Sequence, residues 1–183
     1  QAAILALVDH PVEDDGRVRI ARHARRTITM AESFVDLARM QAQHFAGEEV
    51  MIGETVVEAI DALWPLAKER GIRFDTNIDE LFVLAEPQSL LRAFINLFDN
   101  AVKYSPDGGM IDVAVTRRDD GARAMVDVTI RDEGRGIAPD ILPRLFDRFV
   151  SVAAVGERMS GIGLGLAHVA ATAERHGGAV RAY

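Results

Sequence analysis

The sequence predicts an α+β fold: a two-layer α/β sandwich with a mixed sheet and helices on one face, preceded by a helical hairpin. Three observations carry that expectation. Residues 88–104 repeat apolar side chains at helical spacing, two later runs alternate with the period of two of a half-buried strand, and the first 48 residues form a narrow apolar seam. Strands mixed with helices, partly in hairpins, are the pattern of an α+β sandwich. At 183 residues, 49% hydrophobic and 27% charged, the chain is long enough to bury a sizeable core. A formal charge of −7 argues against a phosphate-backbone partner, so no nucleic-acid role is expected. The absence of cysteine removes disulfides, thiolate metal sites and thiol nucleophiles together and suits a reducing compartment. No apolar run approaches the roughly 20 residues of a spanning helix.

The elements follow in order. Gln1 opens into Ala2-Ala3-Ile4-Leu5-Ala6-Leu7-Val8, without the basic start or small-residue cleavage site of a secretory signal, and reads as the end of a helix cut within its length. His10-Pro11 through Gly16 supplies a turn. From Arg17 to about Phe45 a second helix places Ile20, Ala24, Ile28, Ala31, Val35 and Ala38 on one seam, suited to a helical bundle or to packing on the chain's own domain. A helix from about Gly53 to Arg70 ends before Gly71, and Ile72–Ile78 and Leu81–Leu84 read as short strands joined at Asp79-Glu80. The helix from Gln88 to about Tyr104 closes at Ser105-Pro106-Asp107-Gly108-Gly109. Ile111, Val113 and Val115 share one strand face, Ala124, Val126, Val128 and Ile130 another, with Asp119-Asp120-Gly121 as their turn. A last helix runs from about Gly163 to His176, and Gly177-Gly178 precedes a strand-like run at 179–183.

Chemistry concentrates in three places. At about 100° per residue, Asn96, Asn100 and Lys103 share a narrow sector of the 88–104 helix, about 120° from the apolar sector of Leu90, Phe94, Leu97 and Ala101. Amide oxygens can ligate a hard cation and an ammonium can meet phosphate oxygens, although a solvated polar face is the commoner origin of such a stripe. Asp132 falls on the face of Val126, Val128 and Ile130, so it is expected to point to the core side and to need a polar partner. The Glu133-Gly134-Arg135-Gly136-Ile137 turn beside it allows close approach of a ligand, and is equally compatible with an ordinary turn. Gly161-Ile162-Gly163-Leu164-Gly165-Leu166 leads into the last helix, where free N–H groups favour phosphate. It lacks the Gly-Lys-Ser/Thr ending of a P-loop, and no strand precedes it as in a dinucleotide fold. Residues Val150 to Ser160 read as a mobile lid.

In this order and at these separations, Asn96–Tyr104, Asp132–Ile137, Phe146-Asp147-Arg148-Phe149 and Gly161–Leu166, with His176-Gly177-Gly178, resemble the asparagine, first glycine, phenylalanine and second glycine boxes of sensor histidine kinases of two-component systems. The resemblance implies a catalytic ATP-binding domain over 49–183, and over 1–48 part of a dimerisation and histidine-phosphotransfer hairpin lacking its phosphoacceptor His. By that resemblance Asn100 ligates Mg²⁺, Asn96 supports the same polar site, Lys103 meets phosphate, Asp132 reads the adenine amino group and Tyr104 lines the base pocket. Gly134, Gly136, Ile137, Gly161, Gly163, Leu164, Gly165 and Leu166 match the turns around nucleotide and lid, and Phe146 and Phe149 match lid anchors or plain core residues.

The implied cofactors are ATP and Mg²⁺, and the implied activity is protein histidine kinase. Its partners would be the phosphoacceptor hairpin of the same or a second protomer and a response regulator, in a homodimeric parent acting at the cytoplasmic side and able to be anchored in the inner membrane. Related hydrolases of the gyrase, chaperone and mismatch-repair kind carry Glu where this chain has Asn96, and an amide has no useful basicity; transfer is therefore expected over hydrolysis or loss of catalysis. His10, His23, His44, His168 and His176 lack the acceptor context, so the fragment is expected not to phosphorylate itself. Two departures stand out: Val150-Ser151 replaces an Arg found shortly after the phenylalanine box, which leaves that phosphate contact to Arg148 or Arg158, and the closing strand of the family is missing.

Overall fold

A computed structural model of the chain describes residues 27, 28, 35, 44–119, 121, 124–150 and 163–183. Residues 27, 28 and 35 are helical, within the stretch expected as the second hairpin helix. The expected first helix at 2–8, its turn at 10–16, the lid at 151–160 and Gly161 lie outside the described residues. From residue 44 the order is β1 (Glu48–Met51), α1 (Ile52–Glu69), β2 (Arg73–Ile78), β3 (Phe82–Ala85), α2 (Pro87–Tyr104), β4 (Met110–Asp119), β5 (Ala124–Asp132), a 3₁₀ turn at Leu142–Arg144, and α3 (Gly165–Arg175).

Local chemistry sets the ends of α2. Pro87 occupies the first helical position, where its missing N–H costs nothing. Pro106 forces Ser105 into extended backbone (φ −64°, ψ 150°) and so stops the helix. One face of α2 supplies Phe94, Phe98, Ala101 and Val102 to a core shared with Val56, Ile60 and Leu63 of α1 and Ile111, Val113 and Val115 of β4. Phe98 is fully buried and meets Phe74 of β2 edge-on, centroids 5.9 Å apart. The helices thus cover one face of a three-stranded mixed sheet ordered β2-β4-β5, parallel between β2 and β4 and antiparallel between β4 and β5.

The two short strands expected at 72–78 and 81–84 are present as β2 and β3, but in different sheets: β2 joins β4, while β3 pairs antiparallel with β1, Glu48 opposite Ala85, in a separate two-stranded sheet. Strand β1 is four residues long, too short for an alternation to declare itself. Two sequence-based expectations need correction. Residues 179–183 form no strand, since no described edge pairs with them. Asp132 does pair with Ile111 on the expected face, but it is exposed. It is the last residue of β5, where the covering layer has ended, and the N–H of Gly134 donates to its Oδ1 at 2.8 Å.

Helix α3 packs against α2, with the hydroxyls of Ser89 and Thr172 3.3 Å apart across the contact. His168 lies in this interface, 3% exposed, and neither ring nitrogen has a hydrogen-bond partner among the described residues. Burial, reinforced by the nearby positive charge of Arg92, pushes its pKa down to about 4 from 6.5. The folded state therefore holds the imidazole neutral, while the unfolded chain takes up a proton once pH falls below 6.5. Stability is complete above pH 6.5 and declines as pH falls toward 4, by up to about 3 kcal/mol. Urea denaturation across this range is expected to show that slope in the parent. The same measurement on His168→Leu is expected to show a flatter profile and a gain of about 1 kcal/mol at pH 7; an unchanged slope would place the acid sensitivity elsewhere.

Candidate nucleotide-binding site

The stripe of α2 supplies one wall of the site. Asn96, Asn100 and Lys103 are each half-buried on a single helix, so the asparagine positions are one turn apart and Lys103 follows a turn later. The C-terminal end of this wall is held by a residue that carried no sequence signal, Arg70 at the end of α1. Its guanidinium donates to the carbonyl oxygens of Val102, Lys103 (3.2 Å) and Ser105 (2.9 Å), and to Asp107 Oδ1 at 2.8 Å. One planar fork thereby satisfies carbonyls that the end of a helix leaves open. Its partners lie more than thirty residues away in sequence, so no local periodicity announces it.

The loop after β5 closes on the same end. Gly134 is wedged between two groups: a Cβ there would fall on Asp132 Oδ1 and 2.8 Å from the Tyr104 carbonyl oxygen. Only a residue without a side chain lets the strand end meet the helix end this closely. The Tyr104 ring has Lys103 Nζ 4.5 Å from its centroid and Arg135 Cζ 5.2 Å from it, a cationic surround at cation–π distance. The backbone N–H of Met110 donates to Glu133 Oε2 at 3.0 Å, tying this loop to the start of β4. Gly136 has a φ of +70° and Ile137 is 40% exposed at the rim.

The opposite end of the stripe meets α3. A Cβ on Gly165 would lie 3.1 Å from Asn96 Oδ1, so the N-terminus of α3 approaches this amide directly. Gly163, at φ +71°, accepts the Phe149 N–H at 2.8 Å; a Cβ there would fall on the Val150 carbonyl oxygen and 2.6 Å from the Phe149 carbonyl carbon. Phe149 itself takes a left-handed φ of 67°, unusual for a bulky residue, at the point where the chain leaves for the segment 151–162. Leu164 is buried and Leu166 half-buried beneath this turn. Phe146 is half-buried, but Phe149 is 54% exposed, so the plain core reading fails for Phe149. Arg148 is exposed beside the Arg144–Asp147 pair.

The fold thus joins Asn96 to Gly165 midway along α2, and Lys103, Tyr104, Asp132, Gly134 and Arg135 at its C-terminal end, about 12 Å away along the helix. Amide oxygens beside a glycine-lined helix N-terminus form a hard, oxygen-rich donor set, and among the described residues no cluster of His, Cys, Asp and Glu offers a competing metal site.

A sequence model of the histidine kinase-, DNA gyrase B- and HSP90-like ATPase family matches residues 85–183, more than half of the chain and every group just described except Arg70. This chain belongs to that ATPase family. Among its relatives, the signal transduction histidine-protein kinase/phosphatase MprB of Mycolicibacterium smegmatis is 33% identical over 153 residues, covering 84% of this chain and 30% of that protein. Sensor histidine kinase CusS of Escherichia coli O157:H7 is 34% identical over 158 residues, covering 85% of this chain and 32% of that protein. The chain therefore spans about a third of these curated relatives.

Solved structures agree. A mycobacterial sensor histidine kinase MprB structure superposes with a TM-score of 0.63 at 32% identity, covering 74% of this chain and 84% of that one. Full-length ShkA in complex with AMPPNP superposes with a TM-score of 0.70 at 25% identity, covering 92% and 36%. Within the ATPase family the chain thus carries the nucleotide-binding domain of sensor histidine kinases, and ATP is the nucleotide that membership supports. Among the described residues no helix is long and apolar enough to cross a membrane.

Proposed function

We propose that this chain binds ATP·Mg²⁺ along α2 and presents the γ-phosphoryl group to a histidine imidazole rather than to water. The observation that carries the reading is the pairing of Asn96 with the N-terminus of α3. An amide there can orient phosphate and cation but cannot deprotonate water, so the nucleophile must be one that attacks without help from a base. A neutral imidazole is such a nucleophile. Its nitrogen attacks phosphorus in line, the bond to the β-phosphate oxygen breaks, and ADP leaves. Asp132, held in orientation by the Gly134 N–H, would accept from the adenine amino group, with Tyr104 along the base. Lys103 would meet the phosphates, as would Arg148 from the phenylalanine box. Gly136, Ile137 and the turn Gly161–Leu166 would close around the nucleotide.

Asn100, with Asn96 beside it, would hold the Mg²⁺, which when bound offsets charge on the phosphates. In this reading residues 49–183 are the catalytic domain and 1–48 part of the hairpin; the acceptor histidine belongs to a hairpin of the same or a second protomer. The phosphoryl group then passes to a response-regulator aspartate, and the parent works as a homodimer at the cytoplasmic side of the membrane.

Asn100→Ala removes one amide ligand without disturbing the buried face of α2. Calorimetric titration is expected to show affinity for ATP with Mg²⁺ falling by about tenfold or more, and a much smaller loss for ATP in EDTA. Equal affinity for the magnesium complex in parent and variant would refute the metal role. Steady phosphate release without transfer, abolished by changing Asn96, would instead indicate a hydrolase.

A further inference from the structure

The helices that frame the nucleotide site each have a second end, and both of those ends meet the segment that leads into the domain. Glu86, immediately before α2, takes a bidentate fork from Arg175 at the end of α3: Nε to Oε2 and Nη2 to Oε1, each 2.7 Å. The pair is largely screened from solvent, Arg175 at 13% and Glu86 at 21% side-chain exposure. Three further contacts hold residues 44–46. Arg175 Nη2 donates to the His44 carbonyl at 3.1 Å, the Ala46 N–H donates to Glu86 Oε1 at 3.2 Å, and the Phe45 ring stands edge-on to His176, centroids 5.2 Å apart. The Arg175 guanidinium also lies 5.9 Å from the Phe45 centroid.

His176 completes the set. The Glu86 N–H donates to its Nε2 at 3.0 Å, so that nitrogen carries no proton, and its Nδ1–H donates to the Thr172 carbonyl at 2.7 Å. The hydrogen bonds from Arg175 hold the Glu86 carboxyl down at about 2, so the pair stays charged at physiological pH.

We propose that Glu86, Arg175 and His176 are positioning residues whose clasp on residues 44–46 fixes the catalytic domain relative to the hairpin that precedes it. The inference rests on the phosphoryl-transfer reading above. Contacts serving only the domain's own stability would join α2 to α3 and end there. Instead, this cluster spends an arginine, a carboxylate and an aromatic contact on three residues that precede the first strand, and β1 then pairs with β3 directly beyond them. From the clasp, α3 runs back to Gly165 at Asn96, and α2 runs forward to Asn96, Asn100 and Lys103. The clasp thus sets how the intact nucleotide site, carried on these two helices, is oriented relative to the linker.

Two variants test this. Arg175→Met removes the fork; Phe45→Ala leaves the Glu86–Arg175 pair intact and loosens the linker alone. Spin labels on Val35 and Glu58 of the 183-residue chain are expected to give one narrow distance distribution in the parent and a broadened one in both variants, with ATP affinity changed by less than about twofold. In the kinase carrying its acceptor hairpin, transfer at saturating ATP is expected to fall by about tenfold or more with KM unchanged, because a small misplacement of reacting groups costs that much. Narrow distributions in both variants, or a loss of ATP affinity in step with transfer, would overturn the proposal. Absence of transfer in the parent would refute the phosphoryl-transfer reading but leave the distance measurement as a test of the clasp.

Discussion

Gly134→Ala is expected to weaken ATP binding by about a hundredfold, roughly 2.7 kcal/mol, in a chain that still folds. The added methyl would occupy the position of Asp132 Oδ1 and press on the Tyr104 carbonyl 2.8 Å away. Neither neighbour yields cheaply. The Asp132 carboxylate is turned by its hydrogen bond to the Gly134 N–H, and the Tyr104 carbonyl belongs to the end of α2. Relief must come from rotating the carboxylate away from the base or from separating the loop after β5 from α2, and either step removes the group proposed to read the adenine. The β4–β5 ladder, which runs from Asp119–Ala124 to Ile111–Asp132, contains no residue of this loop, so the sheet and its core should persist. Calorimetry with ATP and with GTP measures the effect: the variant should lose most of its preference for adenine, and an unaltered affinity would mean that Asp132 does not face the base.

Arg70→Ala is expected to cost about 3 kcal/mol of stability, a fall of roughly 10 °C in Tm, and to lower nucleotide affinity as well. The exposed Asp107 contributes little to that figure, because its side chain is 78% exposed and such pairs are weak. The cost lies in the part-buried carbonyls of Val102, Lys103 and Ser105, which lose charge-assisted donors at the negative end of the α2 dipole. Arg70→Lys should recover less than half of the loss, since a point donor reaches one of these carbonyls where the planar fork reaches three. Thermal unfolding monitored by circular dichroism, with ATP titration of each variant, tests both parts. A Tm within about 2 °C of the parent would show that water replaces the guanidinium without penalty.

Much of the candidate site is legible in the amino-acid sequence, because its information is local. The stripe of Asn96, Asn100 and Lys103 follows from 3.6 residues per turn, and the Asp132 register follows from the alternation of Val126, Val128 and Ile130, which the pairing with Ile111 reproduces. The burial expected for Asp132 fails for a reason periodicity cannot carry: alternation says which face a residue takes, not where the covering layer ends. The same limit leaves the partners of β2 and β3 unread, since they lie across the chain in β4 and β1.

What the sequence determined by itself was the class of fold, the order of the boxes and the amide at Asn96 that argues for transfer over hydrolysis. What only the tertiary structure decided were the approaches between distant segments: Arg70 under the end of α2, Gly134 against Tyr104, Gly165 against Asn96, and the clasp of Glu86 and Arg175 on residues 44–46. Each depends on two elements separated by at least thirty residues coming within a few ångströms. Helical and strand periods repeat over two to four residues and carry no record of such pairings, which packing of the core imposes.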